Sequence, residues 1–208
     1  MLLSGFSLFN ILCALPAILI AISFHEFSHA LAAYKLGDDT AKMMGRLTMD
    51  PIKHIDPIGF IMLIIVGLGW AKPVPINTRK FKKVRRDEIL VSLAGPLSNL
   101  IMAAFALLVL YIGQIVFRFN NEIFVLVFLN LYVYNIIFMV FNLFPVPPLD
   151  GYHIFKNAFF KIIPYKFFAA YEQYGVFVLI ALVFTGFVSG ILGPVVNWFN
   201  SLYYMLFL

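Results

Sequence analysis

Charge is scarce in this sequence. Only 12% of its 208 residues are Asp, Glu, Lys or Arg, whereas a soluble globular domain carries about a quarter. Cysteine is nearly missing as well. Cys13 stands alone, which excludes an internal disulfide and leaves the redox compartment unmarked. No Lys or Arg precedes Lys35. The N-terminal run therefore lacks the basic region of a secretory signal peptide and is expected to be retained as a span. There is no internal repeat and no low-complexity tract. What the sequence has instead is apolar surface: 62% of the residues are hydrophobic, and several runs approach the ~20 residues that a bilayer crossing needs. One core cannot hide so much, so the expected solvent is lipid. The length allows one compact domain and leaves no room for a large soluble appendage.

Apolar segments run over 6–34, 89–117, 123–146, 174–189 and 191–208, and each reads as a membrane helix. The last two are expected to meet in a tight turn at Gly190, Gly193 and Pro194. A shorter run, 57–76, is broken by Gly67 and Gly69 and followed by Pro73 and Pro75. That length suits a re-entrant or β-hairpin-like segment better than a span. The expected fold is an all-α polytopic membrane protein of about five to six transmembrane helices plus this short segment. It is read as one domain over 1–208, with a catalytic core at about 6–155 and a C-terminal helical pair at 174–208.

The net charge of +5 does not point to nucleic acid, because in a membrane protein excess Lys and Arg marks the cytoplasmic loops. Lys35, Lys42, Arg46 and Lys53 lie in loop 35–56. Lys72, Arg79, Lys80, Lys82, Lys83, Arg85 and Arg86 lie in 72–88, and Lys156, Lys161 and Lys166 in 150–172. If 57–71 re-enters, all of these share one face and only Arg118 lies on the other. The charge pattern thus favours five true spans with the N-terminus outside. The run RKFKKVRR (79–86) reads as a topology determinant that also touches anionic headgroups.

Ionisable residues at membrane depth cost roughly 2.5–3.5 kcal/mol each on insertion scales and usually serve function. Three occur together in SFHEFSHALAAYKLG (23–37). His25 and His29 are spaced i, i+4 and share a helical face, and Glu26 follows His25. This is H-E-x-x-H, the spacing of a zinc hydrolase in which the histidines bind metal and the glutamate takes a proton from water. A catalytic zinc normally has three protein ligands, so one more is needed. The candidates are His54, His153 and the acids. Asp38 and Asp39 read as solvated loop residues, and Asp50 and Asp56 as turn formers beside prolines. Asp150 differs, because it closes NLFPVPPLDG (142–151) directly after a long apolar helix that Pro145, Pro147 and Pro148 must end. In the re-entrant topology Asp150 reaches the same face as His25 and His29. In the spanning topology it does not.

HEFSH (25–29), AGPLSN (94–99) and NLFPVPPLDG (142–151), in this order, resemble the site-2 protease family of intramembrane zinc metallopeptidases (peptidase family M50). GRLTMDPIKHIDPIG (45–59) looks like its compact prokaryotic branch without PDZ or CBS domains. The resemblance covers about 15–155 and implies one Zn2+ held by His25, His29 and Asp150, with Glu26 as general base and acid. It also implies an auxiliary catalytic role for Asn142. Gly95, Pro96 and Asn99 match the family's central helix, where close packing and a kink explain the first two and an interhelical hydrogen bond would explain the third. His54 is a site neighbour by this reading, and His153 stands where relatives often carry another residue. The expected activity is hydrolysis of a peptide bond in or near a transmembrane segment of another protein. The expected setting is a prokaryotic plasma membrane with the active site towards the cytoplasm. The alternative is a non-catalytic metal-binding carrier or scaffold. It leaves unexplained why Glu26 sits beside the first ligand.

Overall fold

Helix-forming apolar runs and the breakers between them divide the chain. A computed structural model describes residues 8–66, 69–119 and 121–207. Helix α1 covers Leu8–Lys35, α2 Thr40–Met43, α3 Pro51–His54 and α4 Pro57–Val66. Helix α5 covers Val84–Tyr111 and runs on as a π-helical turn, Ile112–Val116. Helix α6 covers Glu122–Asn142, α7 Asp150–Phe159, α8 Tyr165–Phe184 and α9 Phe187–Phe207. Four helical stretches are long and apolar enough to cross a membrane: Leu12–Lys35, Val84–Val116, Glu122–Asn142 and Tyr165–Phe184. Helix α9 has 21 residues but carries Asn197 and Asn200, and it is not among the four.

Helices α1, α5 and α6 form the heart of the molecule. Ala17 of α1 and Ala103 and Ala106 of α5 are buried together with Leu131, Tyr132 and Ile136 of α6. Small residues on two of the three helices let their backbones approach closely, the usual basis of helix association in lipid. The opposite face of α5 is different. Leu97, Ile101, Phe105 and Leu108 recur at helical spacing and are each half or more exposed. A continuous stripe of exposed large apolar side chains marks a surface made for lipid or a partner. With four span-length apolar helices among the described residues, it points to a multi-pass membrane protein.

Several boundaries differ from those read in the sequence. The turn between the last two helices is at Thr185 and Gly186, where Gly186 has φ +77°. Gly190, Gly193 and Pro194 lie inside α9. Helix α6 stops at Asn142 rather than 146, because the prolines that follow cannot continue it. Among the described residues there is no strand in the expected hairpin region. Its first part is the 10-residue helix α4, about 15 Å long at 1.5 Å per residue. Asp56 accepts a hydrogen bond from Gly59 N (2.8 Å) at its start, the turn-forming role expected of it. One isolated antiparallel bridge, Ile55 to Ala71, ties the two ends of the segment together, with Lys72 N donating to His54 O at 2.9 Å. Gly67 lies outside the described residues. Gly69 packs directly on Gly59: a Cβ on Gly69 would lie 2.5 Å from Gly59 O.

Beyond Ala71 the chain runs without helix or strand to Asn77. Four buried or half-buried polar groups pin it. Lys72 O accepts from Arg46 (2.6 Å), and Val74 N donates to Glu26 Oε2 (2.8 Å). Asn77 N donates to Asp38 Oδ2 (2.6 Å), and His54 receives Lys72 N as above. Asp38 is therefore fully buried, not the solvated loop residue its position suggested. His54 is fully buried too, its Nε2 2.8 Å from Thr48 O and its Nδ1 3.5 Å from Arg46.

Candidate metal centre

Two residues one turn apart on α1 and one at the start of α7 come together. Their ligand atoms all lie within 4.8 Å of one another. His25 Nε2 and His29 Nε2 are 3.0 Å apart, and Asp150 Oδ2 is 3.1 and 3.2 Å from them. Each histidine uses its other nitrogen elsewhere. His25 Nδ1 is 2.6 Å from Asn99 Oδ1, and His29 Nδ1 is 2.7 Å from the Val91 carbonyl. Both rings are buried.

The sequence builds each part locally. Helix α5 must pass very close to both rings, and Gly95 permits it. A Cβ there would lie 2.6 Å from Cε1 of both His25 and His29, and closer still to His29 Nε2. The third residue is aimed by the turn between α6 and α7. Pro145, Pro147 and Pro148 end α6, and Phe144, Val146 and Leu149 are buried against Val188 of α9. Tyr171 of α8 donates to Pro145 O at 3.0 Å. Gly151 sits against the carbonyls of Leu143 and Phe144, where any side chain would collide. Asp150 thus enters the site from a turn fixed on both sides.

Three donor atoms packed this closely offer one cation a shared site. With their protons on Nδ1, both imidazoles turn lone pairs towards Asp150, and Asp150 Oδ2 is buried without a hydrogen-bond partner. A tetrahedral zinc with ligand bonds of about 2.0–2.1 Å has ligand–ligand edges of about 3.3 Å, close to the observed spacing. The residues present therefore fit a zinc ion.

A cavity of about 350 Å³ opens on this centre, lined by Glu26, Val74, Ile76, Asn142 and Pro148 as well as the three ligand candidates. Glu26 and Asn142 both line this cavity, and Asn142 Nδ2 donates back to Phe138 O (3.0 Å). His153 also faces the cavity, with its Nδ1 2.9 Å from Glu88 Oε1. His54 is not brought to the centre, and its contacts hold the irregular segment instead. Asp39 pairs with Lys80, and Asp50 caps α3 through Ile52 N (3.0 Å). Sequence reasoning missed Asn135. It is fully buried on α6, and its Oδ1 accepts from Asn99 Nδ2 at 2.8 Å. The available signal was a polar side chain in the middle of an apolar helix.

Comparisons with known proteins agree with this geometry. The family model described as Peptidase family M50 matches residues 13–186. The chain is 43% identical over 187 residues to YwhC of Bacillus subtilis (strain 168), spanning 86% of this chain and 84% of the relative. It is 32% identical over 201 residues to Rip2 of Mycobacterium tuberculosis (strain ATCC 25618 / H37Rv), spanning 91% and 70%. It is 25% identical over 155 residues to MJ0611 of Methanocaldococcus jannaschii, spanning 73% of each. All three carry the provisional name of zinc metalloprotease. No solved structure matches significantly.

Proposed function

The chain belongs to peptidase family M50, the site-2 protease family, and from that premise we propose that it is a zinc-dependent intramembrane endopeptidase. Its substrate is a membrane protein cut in or near a transmembrane segment. One observation carries the reading: the buried His25, His29 and Asp150 atoms converge on one point, with Glu26 on the wall of the same cavity.

His25, His29 and Asp150 would hold a zinc ion, which would supply Lewis acidity for the scissile carbonyl and for water. Glu26 is the general base. Its Oε2 is occupied by the Val74 amide (2.8 Å), which fixes the carboxylate and leaves Oε1 to take the proton of the attacking water. Glu26 then passes that proton to the leaving amide nitrogen. Asn142, on the lining of the same cavity, orients the substrate carbonyl. A helical substrate must unwind before water can reach it. The irregular run 71–77 beside the cavity offers backbone groups to which an unwound segment adds as a strand. Segment 57–71 enters and leaves the membrane on one side. Five helices cross, α9 included, and the site faces the cytoplasm of a prokaryotic cell.

Glu26→Gln tests the reading. Purified in detergent, it is expected to keep about one zinc per chain while cleavage of a transmembrane substrate falls by about 10²–10⁴-fold. Asp150→Ala is expected to lose both. Wild-type cleavage by the Gln variant would sink the assignment, and metal transport by it would favour a carrier.

A further inference from the structure

We infer that Asn135, on α6 and outside the metal centre, fixes the tautomer of His25 through Asn99. The consequence for metal binding rests on the zinc reading above, but the tautomer itself does not. For an imidazole to offer Nε2 to a cation, its single proton must sit on Nδ1. His29 has no choice, because its Nδ1 faces the Val91 carbonyl at 2.7 Å, and a carbonyl only accepts. His25 is different. Its Nδ1 faces a side-chain amide, Asn99, at 2.6 Å, and an amide can present either its oxygen or its NH2. If Asn99 were turned round, His25 would carry its proton on Nε2 and could not ligate.

Two backbone carbonyls, which cannot be turned round, decide the direction. Asn135 Nδ2 donates to Leu131 O at 2.7 Å, so Asn135 must show its oxygen to Asn99. Asn99 Nδ2 then donates to that oxygen at 2.8 Å, and to Ala21 O at 3.1 Å. The Asn99 oxygen is thereby left for His25. Both asparagines are fully buried, so water does not compete for their groups. The relay runs across three helices, from Leu131 through Asn135 and Asn99 to His25. It explains two asparagines in apolar helices that neither touch substrate nor ligate. Partners of metal-bound histidines typically change metal affinity by about 10–100-fold when removed.

The experiment combines a direct observation with a double-mutant cycle. In the wild-type protein with 15N-labelled histidine, NMR is expected to find the His25 proton on Nδ1. Zinc affinity, measured by chelator competition in detergent, is expected to fall about tenfold or more in Asn135→Leu with helix content unchanged. In an Asn99→Asp background, where a carboxylate accepts from His25 unaided, adding Asn135→Leu is expected to cost no further affinity. A merely structural asparagine would lower thermal stability in both backgrounds and leave the affinity untouched. A wild-type His25 protonated on Nε2 would overturn the inference. So would undiminished zinc binding in folded Asn135→Leu, or an equal loss in the Asn99→Asp background. Should Asn135→Leu not fold, the wild-type spectrum decides. A wild-type protein that binds no zinc would defeat the proposed function, while the spectrum still reads the tautomer.

Discussion

A methyl group at position 95 would lie 2.6 Å from the Cε1 atoms of both site histidines, well inside van der Waals contact. Both rings are buried between helices, so they cannot swing aside without leaving Asp150. Gly95→Ala is therefore expected to lower zinc affinity by at least tenfold, as chelator competition would show, with near-native helix content in far-UV circular dichroism. Native zinc binding would mean that α5 can retreat from α1. The ligand candidates were legible in the sequence because their chemistry is local: H-E-x-x-H is a spacing on one helix, and Asp150 closes a proline-broken run. Gly95 was legible only as a packing residue, because nothing in AGPLSN says which side chains face it. Asp38 was read as a solvated loop residue, yet it is buried, because its partner Asn77 comes from a distant part of the chain. His54 was read as a site neighbour, yet it is buried away from the centre against Thr48 O.

At the scale of an element, the irregular run 71–77 borrows its order from others. Among the described residues one isolated bridge pairs it with a neighbour, so its position depends on Arg46, Glu26, Asp38 and His54. Arg46 is buried, and its bond to Lys72 O (2.6 Å) satisfies a half-buried carbonyl. Losing such a partner costs roughly 1–3 kcal/mol. Arg46→Met is expected to leave zinc content at about one per chain while reducing cleavage of a helical substrate about tenfold. It should have less effect on an unfolded peptide that needs no unwinding. Equal losses on both substrates would show that the run does not serve substrate unwinding. The all-helical character was legible from hydropathy alone, because apolar run length is what sets a span, but only four of the expected five to six helices among the described residues are long and apolar enough to cross. The turn between α8 and α9 was not legible. Three turn-forming residues at 190–194 outweighed a single glycine on paper, although Pro194 is tolerated in a helix and Gly186 supplies the positive φ (+77°) that the real turn needs.

For the whole molecule, the orientation of every helix turns on segment 57–71. Helix α4, about 15 Å long, reaches only half-way through a hydrocarbon core of about 30 Å. Its flanks are joined at Ile55 and Ala71, so Lys53 and Lys83 are expected on one face of the membrane and Phe119 on the other. Charge and site geometry favour the same arrangement, since in it α1 and α6 deliver His25, His29 and Asp150 to one depth. Single cysteines at these three exposed positions, in a background where the buried Cys13 is replaced by Ala, can be probed in intact cells with a membrane-impermeant maleimide. Lys53→Cys and Lys83→Cys are expected to react only after the membrane is breached, and Phe119→Cys at once. If Lys53→Cys and Lys83→Cys reacted from opposite sides, segment 57–71 would cross the bilayer. Asp150 would then be stranded on the far face from the histidines, and the metal centre could not assemble in the membrane.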